Sequence, residues 1–323
     1  MFSEFKRLSF RHKNNKFWYY LHNFLRLYYP SCLFTSKLES KLRRIKDFES
    51  DSIIQRVNYY NRLNEVHILP SSAITLHEFK LGKKNKTYYF DIVEFTRYFN
   101  KSLKLQSLLG DINHIPNIPS IVKSRPIHGD NANSVILNLD KVRHFLFLND
   151  TKAFTDKINM LVGRSKVSQP HRIRFLEMYM HHPLCNVGQV NTNMNLHFLA
   201  NRLTISEHLN YKFILCLEGH DVASNLKWVM SSNSLAVMPK PVYETWFMEG
   251  TLIPDYHYVM IKDDYSDLEE RLNYYINNTD KALKIIENAH HYINQFKNKK
   301  QEDLISLLVL QKYFEKTGQI VIS

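Results

Sequence analysis

Tyr211-Lys212-Phe213-Ile214-Leu215-Cys216-Leu217-Glu218-Gly219-His220-Asp221-Val222-Ala223-Ser224-Asn225-Leu226-Lys227-Trp228 is the most informative stretch of this chain. Its first seven residues are almost continuously apolar, the pattern of a strand buried on both faces of a parallel sheet. Gly219 supplies a turn, and residues 222–231 read as a helix bearing Ser224, Asn225 and Lys227. A helix that follows a parallel strand offers unpaired amides and the positive end of a dipole. Lys227 adds a full charge, so an anionic phosphate fits at the carboxyl end of the strands. The alternative is an ordinary strand–helix unit whose turn needs a glycine. Neither Gly-x-Gly-x-x-Gly nor Gly-x-x-x-x-Gly-Lys-Ser/Thr occurs, which disfavours the standard dinucleotide and P-loop sites.

The pattern extends in both directions. Strands are expected at 157–162, 234–238 and 257–261, and helices at 170–181, 198–210 and 242–249. Ser266 and Glu269 have the spacing of a capping box, and the chain from there to about residue 316 reads as helical. On the other side, residues 5–65 read as helical with a break at Pro30. Residues 66–69 and 87–93 are β-rich, with a turn at 82–86 between them. Residues 112–138 are dense in Pro, Asn and Gly, and should form loops around short strands at 120–123 and 134–139. A helix begins near 141. Five of the eight glycines (129, 163, 188, 219 and 250) fall between 129 and 250, where a positive φ or a close backbone approach is expected.

Length and composition bound the class. The 323 residues, 44% hydrophobic and 23% charged, are globular values that exclude wholesale disorder, a collagen-like repeat and a coiled-coil rod. Cys32, Cys185 and Cys216 are too few for a disulfide-framed domain and contain no Cys-x-x-Cys pair. The net charge of +12 points to an anionic partner: nucleic acid, a membrane surface or a phosphorylated small molecule. The first fifty residues hold eleven basic and four acidic side chains, +7 of that total, interleaved with Phe17, Trp18, Tyr19, Tyr20, Phe24, Leu25, Tyr28 and Tyr29. Such a segment either lies on anionic lipid or packs its apolar stripe into the protein. No apolar run reaches the roughly 18 residues of a spanning helix, and no secretory leader is evident. A cytoplasmic, membrane-peripheral protein is expected.

The order of features resembles glycosyltransferase family 90, over about residues 110–300. The resemblance rests on Tyr211-Lys-Phe, Glu218-Gly219, Ala223-Ser224-Asn225-Leu-Lys227-Trp228, Ser232-Asn-Ser234, Tyr243-Glu244-Thr-Trp246-Phe247, Leu252-Ile-Pro254, His257-Tyr258-Val259 and Ser266-Asp267-Leu268-Glu269. His144, Asp150, Lys157 and the Arg164–Arg172 segment resemble the bacterial lipopolysaccharide-modifying branch. The resemblance implies an α/β GT-B fold with two Rossmann-like domains facing across a cleft, flanked by helical terminal segments. The domains would be residues 1–150 on the acceptor side and 151–295 for the UDP-sugar, with the helix at 296–323 packing back on the first. It further implies an inverting, metal-independent transfer of a hexose from a UDP-sugar to a lipopolysaccharide or lipooligosaccharide core. No cofactor and no nucleic acid partner are then expected.

The residues agree with that chemistry in one respect. No Asp-x-Asp pair exists to hold a cation on the diphosphate, so cationic side chains and helix amides must neutralise it. Arg164 and Arg172 are the candidates beside Gly219, Ser224, Asn225 and Lys227; surface ion pairs are the alternative. Glu244 matches a family glutamate near the nucleotide, where a carboxylate accepts from ribose hydroxyls; otherwise it is an exposed helix residue. An inverting transfer needs a base for the acceptor hydroxyl. The family aspartate position after Arg125 is Pro126 here, which leaves Asp130, or the competing His128, on a glycine-containing loop. An Asx-turn is the other role open to Asp130. His181-His182 and His290-His291 lack helical metal-ligand spacing, and Asp263-Asp264 suits a helix dipole. The rival class is a non-enzymatic basic nucleic-acid-binding protein, which accounts for the charge but not for the ordered 211–269 series. A capsule-polymer phosphotransferase would share the nucleotide-sugar chemistry without an inverting base.

Overall fold

The computed structural model describes residues 14–30 and 32–321. The expected basic helical start before Asn14 lies outside them. The chain forms two compact units, and each is discontinuous in sequence. One comprises Arg143–Pro241 and Thr251–Gln295; the other comprises Asn15–Val142, Val242–Gly250 and the chain from Phe296 onward. The first boundary thus falls at Val142, earlier than residue 150.

The first unit is built on a five-stranded, wholly parallel sheet. Its spatial order is Cys185–Gln189, Ile158–Ser165, Tyr211–Leu215, Leu235–Met238, Val259–Met260. In chain order this is 2-1-3-4-5, a doubly wound arrangement whose order reverses between the first and third strands. The apolar run at 211 is the central strand: Phe213 and Ile214 are fully buried, with Phe213 opposite both Leu161 and Leu235. Phe175 and Leu176 of the Pro170–Tyr179 helix pack into the same core. So do Leu268 and Leu272 of Leu268–Asn277, and Ile285 of Thr279–Asn294. The edge strand Cys185–Gln189 escapes sequence patterning because Asn186, Gly188 and Gln189 are poor strand formers. Gly188 is needed there for closeness, since a Cβ would lie 2.4 Å from that of Ala200.

The second unit lacks such a sheet. Among its described residues strands pair only in twos: Ile74–Thr75 with Lys104–Leu105, Ser120–Val122 with Ser134–Ile136, and Ser124–Pro126 with Tyr243–Thr245. Its core is helical. The carboxyl-terminal helix Lys299–Lys316 buries Leu304, Ile305, Leu310, Tyr313 and Phe314. Trp246 stacks on Tyr60 with ring centroids 3.9 Å apart, and its indole N–H donates to Glu302, which also pairs with Arg56.

Several expectations are corrected. The β-rich residues 87–93 lie in the helix Lys86–Thr96, and residues 66–69 are not a strand. Tyr88, Ile92, Phe95 and Phe99 are all buried and recur at steps of four, three and four. That helical period outweighs the strand propensity of Tyr, Phe, Ile and Val. The expected helix at 242–249 is instead the strand Tyr243–Thr245, held by its antiparallel ladder with Ser124–Pro126. Residues 198–210 keep only the short helix Ile205–His208, closed by a capping box of Thr204 and Glu207. The box expected at Ser266 does not form. Its hydroxyl donates to Asp264, and the helix starts one residue later, behind Asp267.

In the Lys86–Thr96 helix, Asp91 is 1% exposed and accepts from Tyr19 Oη and the Lys141 amide. Burial raises its carboxyl from 3.8 to about 6, against the opposing pull of Lys141. The contribution of this group to stability is therefore complete below the unfolded value of 3.8 and is lost as pH rises through about 6. That difference corresponds to about 3 kcal/mol. Asp91→Asn is expected to abolish this part of the decline when urea unfolding is followed across that pH interval.

Candidate functional site

The order reversal of the parallel sheet places two loops side by side, at residues 166–169 and 216–225. Crevices at such points are where doubly wound folds take ligands. The helix Pro170–Tyr179 starts directly after the first loop, with Pro170 at its first position, where the missing N–H costs nothing. Its first turn carries Arg172, which ties the loops together. Nε donates to Glu218 O at 2.8 Å, Nη2 to Leu217 O at 2.7 Å and Nη1 to Lys166 O at 2.7 Å. His171 Nε2 lies 2.9 Å from Glu218 O. A Cβ on Gly219 would come within 3.2 Å of Arg172 Nη2, so the guanidinium lies close against this loop. The φ of Gly219 is not in the left-handed range, and its amide donates to Asp221 O. The bend is thus held by its own backbone and by Arg172.

The other expected donor residues take different places. Asn225 Nδ2 donates to Leu215 O at 2.9 Å and fastens the loop to the end of the central strand. Ser224 is exposed, and both residues precede the helix Leu226–Met230. That helix has only five residues, so its dipole is weak. Lys227 is fully buried, with Nζ 5.8 Å from the centre of the Phe145 ring. Arg164 does not join Arg172. It is bound to Asn186 O and Oδ1, Gly163 O and Asn201 O. Exposed Lys166, and His171 beside it, were missed as site residues. Their position after the first strand was the signal available.

Glu244 belongs to the second unit, where strand register sets it directly opposite Arg125. Both are fully buried, with Arg125 Nε 2.7 Å from Glu244 Oε1. Tyr59 Oη donates to Oε2, and burial together with Glu244 raises the Tyr59 phenol. Arg125 is otherwise spent on the carbonyls of Tyr59, Tyr60 and Ser134. Glu244 is therefore neither on a helix nor exposed, and both of its oxygens are engaged. A Cβ on Gly250 would lie 2.6 Å from Oε2, so this corner requires glycine.

The loop carrying the candidate bases starts from Arg125 itself. His128, Gly129 and Asp130 are exposed, and Gly129 has φ +88°. Asn131 pins the loop by donating to Pro126 O and accepting from Arg62 Nη1, and Arg62 Nη2 lies 3.5 Å from Glu244 Oε1. Asp130 Oδ1 accepts from the Ala132 amide at 3.4 Å, an Asx-turn. Asp150 and Lys157 form a buried pair, which also binds Asn233 and Leu209 O. Among the described residues no group of three or more His, Cys, Asp or Glu could hold a metal ion.

Residues 161–315 match the family described as Glycosyl transferase family 90. The O-glucosyltransferase LpsA of Dichelobacter nodosus is 42% identical over 264 residues, which covers 81% of this chain and 83% of that protein. The chain belongs to glycosyltransferase family 90. The family match spans the switch-point loops, Glu244 and the carboxyl-terminal helix. Conversely, the loop at 127–131 lies outside the matched span.

Two carboxylates of this family 90 chain should behave in opposite ways. Removing one partner of a buried pair costs about 3–5 kcal/mol, because it strands the other charge. Glu244→Ala is expected to lose that much in urea unfolding, whereas Asp130→Ala leaves the unfolding midpoint near that of the parent.

Proposed function

We propose that this family 90 transferase moves a hexose, glucose in the relative's case, from a UDP-sugar to a lipopolysaccharide or lipooligosaccharide core, with inversion and without a metal cofactor. The observation that supports it is the switch point of the parallel sheet, where Arg172 joins two loops that carry exposed Lys166 and half-buried His171. A diphosphate needs several cationic or N–H donors held in place, and a crevice fixed in advance supplies them without reorganisation. Arg172 retains donor hydrogens beyond the three it gives to carbonyls, since a guanidinium has five. In this reading a leaving UDP takes its charge compensation from Arg172 and Lys166, with Ser224 and Asn225 at the edge. Asp130, with His128 as its competitor, accepts the proton of the acceptor hydroxyl as that oxygen attacks the anomeric carbon. The GT-B arrangement remains part of the proposal, with one unit supplying a doubly wound nucleotide-type sheet. Nothing in the fold or the family favours the nucleic-acid alternative.

A site on the inner face of the cytoplasmic membrane completes the proposal. No helix among the described residues is long and apolar enough to cross a membrane. The helix Lys16–Leu27 turns Tyr19 and Asn23 inward, while Phe17, Trp18 and Leu25 are 69%, 62% and 55% exposed. An exposed aromatic stripe on a basic segment suits the interface of an anionic bilayer.

Thermal-shift measurements with UDP, UDP-glucose, UDP-galactose and UDP-xylose, without added metal, test the donor site. At one hundred times its Kd a UDP ligand should add about 2.7 kcal/mol. Lys166→Ala should weaken that response while leaving the ligand-free melting temperature alone. Asp130→Ala should keep the response and lower turnover about a hundredfold or more. Stabilisation by nucleic acid but by none of the UDP compounds would sink the transferase mechanism. For the membrane, Phe17→Ser with Trp18→Ser should reduce co-sedimentation with phosphatidylglycerol-containing vesicles without altering the UDP shift; unchanged sedimentation removes the helix from that role.

A further inference from the structure

The second unit contains a cavity of about 310 Å³ at the carboxyl end of the Lys16–Leu27 helix. Arg26, His77, Lys80, Arg97 and Lys101 all line it, and no carboxylate does. Arg97 is 6% exposed, its Nε has no hydrogen-bond partner, and its guanidinium carbon lies 4.0 Å from the centre of the Phe34 ring. A single bond, from Nη2 to Arg26 O at 3.2 Å, holds the fork. Among the described residues neither Arg97, Lys80 nor Lys101 has an ion-pair partner. Arg26 is the exception, 3.0 Å from Glu94, a carboxylate that also acts on Arg97 but does not line the cavity. Burial and Arg26 lower Arg97 to about 10, and burial, Arg97 and Lys80 lower Lys101.

Several cations elsewhere in this chain have carboxylate partners: Arg56 with Glu302, Lys141 with Glu94 and Lys157 with Asp150. Like charges gathered around a buried guanidinium such as Arg97 are costly unless an anion joins them. The volume suits a small ligand. A guanidinium fork with two flanking ammonium groups matches the oxygens of a phosphate. The lining also includes an aromatic pair, Phe79 and Tyr89, stacked at 5.3 Å. A sugar ring lays its C–H face on such a surface.

We propose that this cavity binds a phosphate-bearing sugar of the acceptor, with Arg97, Lys80 and Lys101 on the phosphate and the Phe79–Tyr89 pair against the ring. The assignment to the acceptor rests on the transferase reading above; the anion site itself does not. The phosphate belongs either to a soluble phosphosugar or to a lipid headgroup, and the helix with exposed Trp18 leads directly to Arg26 and Leu27 on the cavity wall.

The test uses the full chain and isothermal titration with glucose 6-phosphate and with glucose, alongside sedimentation with phosphatidylcholine vesicles with and without phosphatidic acid. Glucose 6-phosphate is expected to bind and glucose not to. Lys80→Ala with Lys101→Ala should weaken phosphate binding at least about tenfold, the least that losing one charge-assisted hydrogen bond implies. Lys80→Arg with Lys101→Arg should restore it, and UDP thermal shifts should be unchanged in both. Both lysines reach solvent, so neither pair of substitutions threatens the fold. Binding of the soluble ester supports a phosphosugar, and lysine-dependent binding seen only on phosphatidic acid vesicles supports a headgroup. Failure of both probes to bind, or equal binding by the parent and the alanine variant, overturns the site. Loss of the UDP response in the parent with phosphate binding intact would instead remove the transferase reading and leave the anion site standing.

Discussion

One guanidinium has to satisfy carbonyls from two loops that the fold brings together only at the reversal of its sheet. Lys166 O, Leu217 O and Glu218 O come from segments some fifty residues apart, and Arg172 takes all three. Peptide carbonyls at the ends of buried strands need partners. Arg172 therefore fastens the two loops to each other, and Gly219 leaves room for its guanidinium.

The other unit has a comparable fixed point, of a different kind. Arg125 and Glu244 face each other across paired strands with no access to water. Such a pair repays its desolvation only when every remaining donor and acceptor is engaged, and here Tyr59, Tyr60 and Ser134 complete the set. Arg62 then links this buried charge to Asn131, so the exposed His128 and Asp130 ride on a loop with a rigid base. Their side chains remain open while the backbone beneath them is held.

The net charge of +12 is unevenly used. Some cations that serve the fold are accompanied by a carboxylate, as with Lys157 and Asp150 or Arg56 and Glu302, and Arg172 is held by carbonyls instead. Among the described residues Lys80, Arg97 and Lys101 share one cavity wall without an ion-pair partner. Combined with the aromatic stripe of the Lys16–Leu27 helix, it gives one end of the second unit a cationic and apolar character. That pairing of properties suits an amphiphilic, phosphorylated partner.

The parallel sheet was legible in the sequence because an apolar run such as Tyr211–Leu215 has few other destinations, and the family was legible because its motifs keep their order from 211 to 269. Pro170 likewise marks a helix start through local geometry alone. The helix Lys86–Thr96 was read as β-rich, since aromatic and β-branched residues that are buried on nearly every side satisfy two periods at once. Tyr243–Thr245 became a strand through a partner more than a hundred residues away, which no local pattern encodes. The same distance explains the site. Residue type named Arg172, Lys227 and Glu244 as charges of interest, but only tertiary packing decided that Arg172 joins two loops, that Lys227 is buried by Phe145 and that Glu244 is consumed by Arg125. A side chain's chemistry is local, whereas its access to solvent and its partners are set by the segments folded against it.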